Sequence, residues 1–342
     1  MKAIVYYNYG SPDVLQYEEI EKPTPGDYEV LIRVRAASVN PLDLFLKGKP
    51  YSTRLLTGLR KPKDTRPGRD VAGHVEAVGG SVAQFKPGDE VFGLCVSDPQ
   101  AAGAAAWVHR HGSFAEYTCA PERALVLKPD NVTFEQAAAV PIAALTALQG
   151  LRDKGQIRAG QKVLIHGAGG GVGTLAVQIA KWLGADVTGV TRTRNVELVR
   201  SIGADRVIDY AREDFTTSGQ RYDLIFDCFA NHSLSACRRV LNPKGIYIQV
   251  GGPGSRWMIG LLARPVKTLV LSRFVSQKLV MFLARPSQDD LTILRDLMAT
   301  RKVTPVIDRS YQLTEVAEAF RYLEERQARG KVVITVRHSN NA

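Results

Sequence analysis

The sequence predicts an α/β protein in two parts. A β-rich first part comes before a middle part built on a doubly wound parallel sheet, and the tail returns to the first part. Three observations carry this. The chain has 342 residues, enough for two domains of ordinary size. The first 128 residues read as short strands broken by Gly and Pro turns. From about residue 129, helical stretches alternate with short apolar runs, the pattern of buried parallel strands with crossover helices.

Taken in order, "YEVLIRVRAAS" sets Val30, Ile32 and Val34 against Leu31, Arg33 and Arg35, a period-two strand signal. The pieces "VAGHVEAVG", "DEVFG", "FAEYTCA" and "ALVLKP" follow as further strands of a small, irregular β-barrel. In the middle part the predicted strands are 162–166, 186–190, 206–208, 222–227, 245–250 and 279–283, with helices over 134–148, 173–183 and 195–202. The tail reads as a helix at "DDLTILRDLMATR", a strand near Val306, a helix over 314–326 and a last strand over 332–336. The expected domains are 1–128 with 285–342, and 129–284.

Composition narrows the function. Hydrophobic residues make up 45% and charged residues 23%, ordinary values for a globular protein with a real core. The cysteines at 95, 119, 228 and 237 show no CxxC spacing, so reduced thiols and a cytoplasmic setting are expected. The N-terminus has no apolar signal-peptide region and reads as a strand. The net charge of +11 is read as a solvated basic surface. Arg60, Lys61, Lys63, Arg66 and Arg69 cluster without the interleaved aromatics of a single-strand binding groove, and no DNA partner is expected. The apolar stretch 256–284 is broken by Arg264, Pro265, Lys267, Arg273 and Lys278, too short in any run to span a bilayer. Membrane contact is not expected; a cover for the active site and a dimer interface both stay open for this stretch.

The chemistry is concentrated in "HGAGGGVG", residues 166–173. Glycines after a strand and before a helix permit a tight turn, and they let backbone N–H groups approach a pyrophosphate at the positive end of the helix. Strict GxGxxG spacing is not met, because Val172 stands where the third glycine would fall. The next strand ends in Thr191, Arg192, Thr193, Arg194 and Asn195, with no carboxylate before Glu197. An acidic residue there would accept from a ribose 2′-OH, whereas Arg and Thr suit a 2′-phosphate. NADPH is therefore the expected cofactor.

Together, "AGGGVG", "SVNPLD", "GRDVAGHVEAVG", "FKPGDEVFG", "GSFAEY" and "IGADRVIDY" resemble the medium-chain dehydrogenase/reductase superfamily, in its zinc-independent quinone oxidoreductase branch. The resemblance spans nearly the whole chain. It implies a Rossmann doubly wound parallel-sheet domain and a GroES-like β-barrel domain made from both chain ends. It also implies a homodimer. Residue by residue, it implies cofactor contacts at Gly169, Gly170, Gly171 and Val172 in the loop, and at Arg192, Asn195 and Tyr210 toward the 2′-phosphate. Thr146, Cys228, Val250 and Phe282 fall beside the nicotinamide and its ribose, and Gln327, Ala328 and Arg329 in a C-terminal turn that reaches the cofactor.

The zinc-dependent members carry a cysteine ligand near Asn40 and a Gly-His-Glu where this chain has Gly68, Arg69 and Asp70. Asn and Arg do not suit a catalytic zinc, and the HxH pair His109 and His111 lacks a third ligand at usable spacing. No metal is expected. Without one, an electron-poor acceptor is favoured, such as a quinone or an α,β-unsaturated carbonyl. The catalytic candidates are Asn40 as an orienting or oxyanion-contacting amide, Asp43 as a ribose or proton-relay group, and Tyr51 as a hydroxyl where relatives carry a tyrosine at the position of Phe45. A non-catalytic, NADPH-bound scaffold, which could bind RNA, and an alcohol dehydrogenase are the alternatives.

Overall fold

A computed structural model describes residues 1–47, 54, 58–101, 103–108, 111–250 and 276–338. Tyr51, His109 and most of the apolar stretch 256–284 lie outside the described residues. Internal contacts divide the chain into two units. One holds Met1–Leu145, Arg285–Arg301 and Pro305–Ala342; the other holds Thr146–Ala284 and Lys302–Thr304.

The first unit contains β1 (Lys2–Val5), β2 (Gln16–Glu19), β3 (Glu29–Val39), β4 (Asp70–Val78), β5 (Glu90–Leu94), β6 (Tyr117–Pro121) and β7 (Leu125–Leu127). Helix α1 (Phe134–Ala138) packs against β3 and β4, so the boundary falls after Leu145 rather than at 128/129. The sequence predicts one helix over 134–148. The structure breaks it at Pro141, which lacks the N–H that a continuous helix needs, and restarts it as α2 (Pro141–Leu148).

The second unit is a six-stranded sheet of β8 (Lys162–His166), β9 (Asp186–Thr191), β10 (Arg206–Asp209), β11 (Tyr222–Asp227), β12 (Leu241–Gln249) and β13 (Lys278–Met281). Every neighbouring pair is parallel, in the order β10-β9-β8-β11-β12-β13. Counted within the unit this is 3-2-1-4-5-6, and the winding reverses between β8 and β11. Strand β12 starts at Leu241, earlier than predicted. A register shift skips from the Tyr222–Leu241 pair to Leu224–Ile246, so the Pro243–Gly245 stretch bulges out of the ladder. Helices α3 (Gly171–Trp182), α4 (Val196–Ser201) and α5 (Leu234–Arg239) connect the strands.

The tail rejoins the first unit through α6 (Gln288–Ala299), β14 (Ile307–Gln312), α7 (Val316–Glu324) and β15 (Lys331–Thr335). Its sheet order is β14-β15-β3-β4-β5-β7, with β6 also on β3. Strand β3 is the hub because it pairs antiparallel with β4, β6 and β15. The core under it includes Ile32, Val34, Val71, Val91, Phe114, Phe320 and Ile334, with the Phe114 and Phe320 rings edge-to-face at 5.9 Å. No helix among the described residues is long and apolar enough to cross a membrane.

Candidate functional site

The carboxyl edge of the six-stranded sheet gathers most of the predicted cofactor residues, the exceptions being Thr146 and Gln327, Ala328 and Arg329. Each strand is followed at once by one of them or by the loop itself: β8 by Gly167, β9 by Arg192, β10 by Tyr210, β11 by Cys228, β12 by Val250 and β13 by Phe282. Ligands of open α/β sheets bind outside this edge, at the point where the winding reverses.

The glycine loop is built for close approach. Gly167 holds φ +86°, a left-handed conformation, and a Cβ on Gly173 would stand 2.1 Å from the Gly167 carbonyl oxygen. A Cβ on Gly169 would stand 2.5 Å from the Asn195 side-chain nitrogen and 2.7 Å from Thr191 Oγ1. Gly170 is the N-cap of α3 and supplies no side-chain cap, so the first N–H groups of the helix are left for an anion. Gly171 and Val172 form the first turn of that helix. The predicted start at residue 173 therefore comes two residues early in the structure, because the loop glycines themselves adopt helical geometry.

Beyond β9, Arg192 Nε donates to Tyr210 Oη at 2.6 Å, and the Tyr210 N–H donates to the Thr191 carbonyl at 3.1 Å. The two residues matched to a 2′-phosphate are thus in contact, although they are 18 positions apart. Asn195 is buried, and its Oδ1 has no hydrogen-bond partner among the described residues. A buried unpaired acceptor beside the loop fits a hydroxyl or N–H donor on a bound group.

At the reversal point, Asp227 is fully buried. Its Oδ1 accepts from His166 Nδ1 at 2.9 Å, from the Phe229 N–H at 3.0 Å and from the Ala230 N–H at 2.7 Å; its Oδ2 accepts from Tyr247 Oη at 2.7 Å. Burial pushes this carboxyl up, but His166 and the hydrogen bonds more than offset that and hold it below the ordinary carboxylate value. Burial pushes the Cys228 thiol well up, which disfavours the thiolate that a nucleophile would need. Phe282 packs near Gly150, whose Cβ would lie 3.1 Å from the ring and 2.4 Å from Phe226. Thr146 lies about one helical turn before Gly150, at the point where α2 widens into the π-helical turn Gln149–Lys154.

The catalytic candidates Asn40 and Asp43 lie in the first unit, inside a buried charge cluster. Arg69 Nη1 donates to Asp43 Oδ1 at 2.6 Å, and Arg69 Nε donates to the Trp107 carbonyl at 2.9 Å. Asp43 Oδ2 takes the Asn40 backbone N–H at 2.8 Å. The Asn40 amide nitrogen donates to Asp70 Oδ2 at 2.9 Å and to the Ser38 carbonyl at 3.3 Å; Asn40 Oδ1 accepts from Lys331 Nζ at 2.6 Å. Asp70 also takes Ser38 Oγ at 2.5 Å and the Ile142 N–H at 3.0 Å. Both amide hydrogens of Asn40 are therefore engaged internally, which leaves none for an oxyanion. In this geometry Asn40 holds the cluster together. Asp43 is likewise tied to Arg69 and Asn40. Gln327, Ala328 and Arg329 also belong to the first unit, on the turn after α7. That turn is held by the Arg329 N–H to Asp308 Oδ2 at 2.9 Å and by Gly330 at φ +96°.

Two family models match the chain: an alcohol dehydrogenase GroES-like domain over residues 26–130 and a zinc-binding dehydrogenase over 202–334. The NADPH-dependent alkenal/one oxidoreductase of Arabidopsis thaliana is 36% identical over 98% of this chain and 79% of its own length. The quinone oxidoreductase of Homo sapiens is 32% identical over 93% of this chain and 92% of its own. The solved quinone oxidoreductase of Coxiella burnetii superposes with a TM-score of 0.81 at 30% identity, covering 98% of this chain and 99% of that one. The chain belongs to the medium-chain dehydrogenase/reductase superfamily.

As a medium-chain dehydrogenase/reductase it is a pyridine-nucleotide-dependent oxidoreductase, and its glycine loop, orphaned Asn195 oxygen and Arg192–Tyr210 pair fit such a cofactor. Zinc, which one matched family description names, does not fit. Where zinc-dependent members place ligands, this one has Asn40 and Arg69, already committed to two buried carboxylates. The sequence reading missed His166, Asp227, Tyr247, Ser38, Asp70 and Lys331 as parts of these networks. Lys331 opens an ordinary-looking strand and meets Asp70 at 3.5 Å from 261 positions away, a contact that local pattern cannot reveal.

Proposed function

We propose that this medium-chain dehydrogenase/reductase is an NADPH-dependent reductase of the zinc-independent branch that transfers hydride to a quinone or an α,β-unsaturated carbonyl. The observation that carries the cofactor choice is the Arg192–Tyr210 contact beyond β9, in a turn whose own residues, Thr191 to Asn195, include no carboxylate. Bound NADPH supplies the hydride. The N–H groups at the start of α3 take the pyrophosphate, Arg192 and Tyr210 take the 2′-phosphate, and Asn195 Oδ1 accepts a hydrogen bond from the cofactor. Thr146, Cys228, Val250 and Phe282 would meet the nicotinamide and its ribose. A quinone or enone spreads the arriving negative charge onto its own oxygen, so it needs orientation and hydrogen bonding rather than a Lewis acid. Tyr51 is the proposed hydroxyl donor. Asn40 and Asp43 act as positioning groups through the buried cluster. The chain works in the cytoplasm as a homodimer.

The names of its relatives support the acceptor class: alkenal/one for one, quinone for others. The test is NADPH consumption against a panel of ortho-quinones, para-quinones, alkenals and enones, with NADH in parallel. Turnover on at least one acceptor, and NADPH preferred over NADH, is the expected result. NADPH binding without turnover on any acceptor, accompanied by salt-sensitive RNA binding, would refute the enzymatic reading in favour of a scaffold.

A further inference from the structure

The hydrogen bonds around Asp227 join three neighbouring strands across the reversal point. His166 is the last residue of β8 and pairs in register with Asp227, the last residue of β11, while Tyr247 lies in β12 before Gln249, the register partner of Asp227. The Asp227 carboxylate also holds the turn that follows it, taking the N–H groups of Phe229 and Ala230, and Ala230 sits at φ +50°, uncommon for a residue with a Cβ. Backbone bonds run the same way: the Cys228 N–H donates to the His166 carbonyl at 3.0 Å, and the Val250 N–H donates to the Asp227 carbonyl at 3.0 Å. The Gly167 turn rests on this assembly, since a Cβ there would be 3.3 Å from Cys228 Cβ. The remaining face of His166 is closed by the rings of Phe215, His232 and Phe229 at 5.3, 5.4 and 5.9 Å. The Asp227 carboxylate and the His166 ring are thus buried, and their bonds fix Gly167, Cys228 and Val250 relative to one another.

We propose that His166, Asp227 and Tyr247 are positioning residues that set the nicotinamide-side half of the cofactor site. This rests on the NADPH reading above. On that reading the adenosine half is held by Arg192 and Tyr210, which bond to each other beyond β9. Loosening the triad should therefore divide the two halves of the cofactor. A defect of general stability would weaken both halves alike.

The test uses the full chain and three variants. H166F keeps a ring but removes the donor, H166N returns an N–H near the place of Nδ1, and Y247F removes only one hydroxyl. Binding is measured for adenosine 2′,5′-bisphosphate, which carries only the adenosine half, and for NADPH, alongside kcat on an active acceptor. H166F and Y247F should bind the bisphosphate within about twofold of the parent, while NADPH affinity or kcat falls about tenfold, the scale of a small misplacement in an oriented site. H166N should recover most of that loss. Equal weakening of both ligands, or no change in NADPH affinity and kcat, overturns the proposal. If H166F does not fold, Y247F decides it by the same two readouts. A parent that binds neither ligand overturns the cofactor reading and this proposal together. A parent that binds both, with variants indistinguishable from it, overturns only this one.

Discussion

Arg69→Met strands a buried carboxylate. Asp43 is 3% exposed and Arg69 5%, and their contact is 2.6 Å. Among the described residues, removing Arg69 leaves the Asn40 N–H as the hydrogen bond to the Asp43 carboxylate, and it takes away one donor to the Trp107 carbonyl. Breaking a buried ion pair from one side costs about 3–5 kcal/mol, because the remaining charge is uncompensated. At about 2–4 °C per kcal/mol for a unit of 150–250 residues, the melting temperature should fall by roughly 6–20 °C. Removing both partners, as in D43L/R69M, takes away the stranded charge and should recover most of the loss. The sign of the pH dependence follows from the shift. Burial raises the Asp43 carboxyl above its ordinary value and Arg69 opposes that rise, so without Arg69 the rise is larger. A carboxyl whose folded value is raised binds more protons in the native state, and its contribution to stability falls as pH climbs through the interval between its ordinary and folded values. The R69M penalty should thus be greatest at neutral pH and shrink on acidification toward the ordinary carboxylate range. Calorimetric or chemical unfolding across that range checks it. An R69M cost within about 1 kcal/mol of zero, or a double variant no better than the single, would refute the argument.

Further outcomes follow in the second unit. Arg192→Ala should weaken NADPH about tenfold, the lower end for a charge-assisted contact on a partly exposed group, and leave NADH affinity unchanged; titration of both cofactors decides it. Gly173→Ala puts a Cβ 2.1 Å from a backbone carbonyl, so the loop must shift, and NADPH affinity should drop by at least about tenfold while circular dichroism stays close to the parent. Dialysis against a strong chelator should leave NADPH consumption unaltered, and an activity lost on dialysis and restored by zinc would overturn the metal-free reading.

The sequence by itself determined the parts whose information is local. Apolar runs gave β8 and β11 to the residue, because a buried strand must be apolar and its flanking turns polar or glycine-rich. The strand-loop-helix context of "GAGGGVG" and the basic "TRTRN" marked the candidate cofactor loop, since both signals lie within one strand–helix–strand unit. Helix ends were less legible, because Pro141 and the loop glycines act through hydrogen bonds that depend on which turn they enter. The tertiary structure alone decided what becomes of the buried charges. Asn40 reads in the sequence as an orienting or oxyanion-contacting amide, but folding delivers Lys331 and Asp70 to it from far along the chain, and its hydrogens are then spent. His166 and Asp227 read as ordinary strand residues until the sheet order set β8 beside β11. A polar group's role depends on which partners meet it in a dry interior, and that meeting is long-range in sequence and short-range only in space.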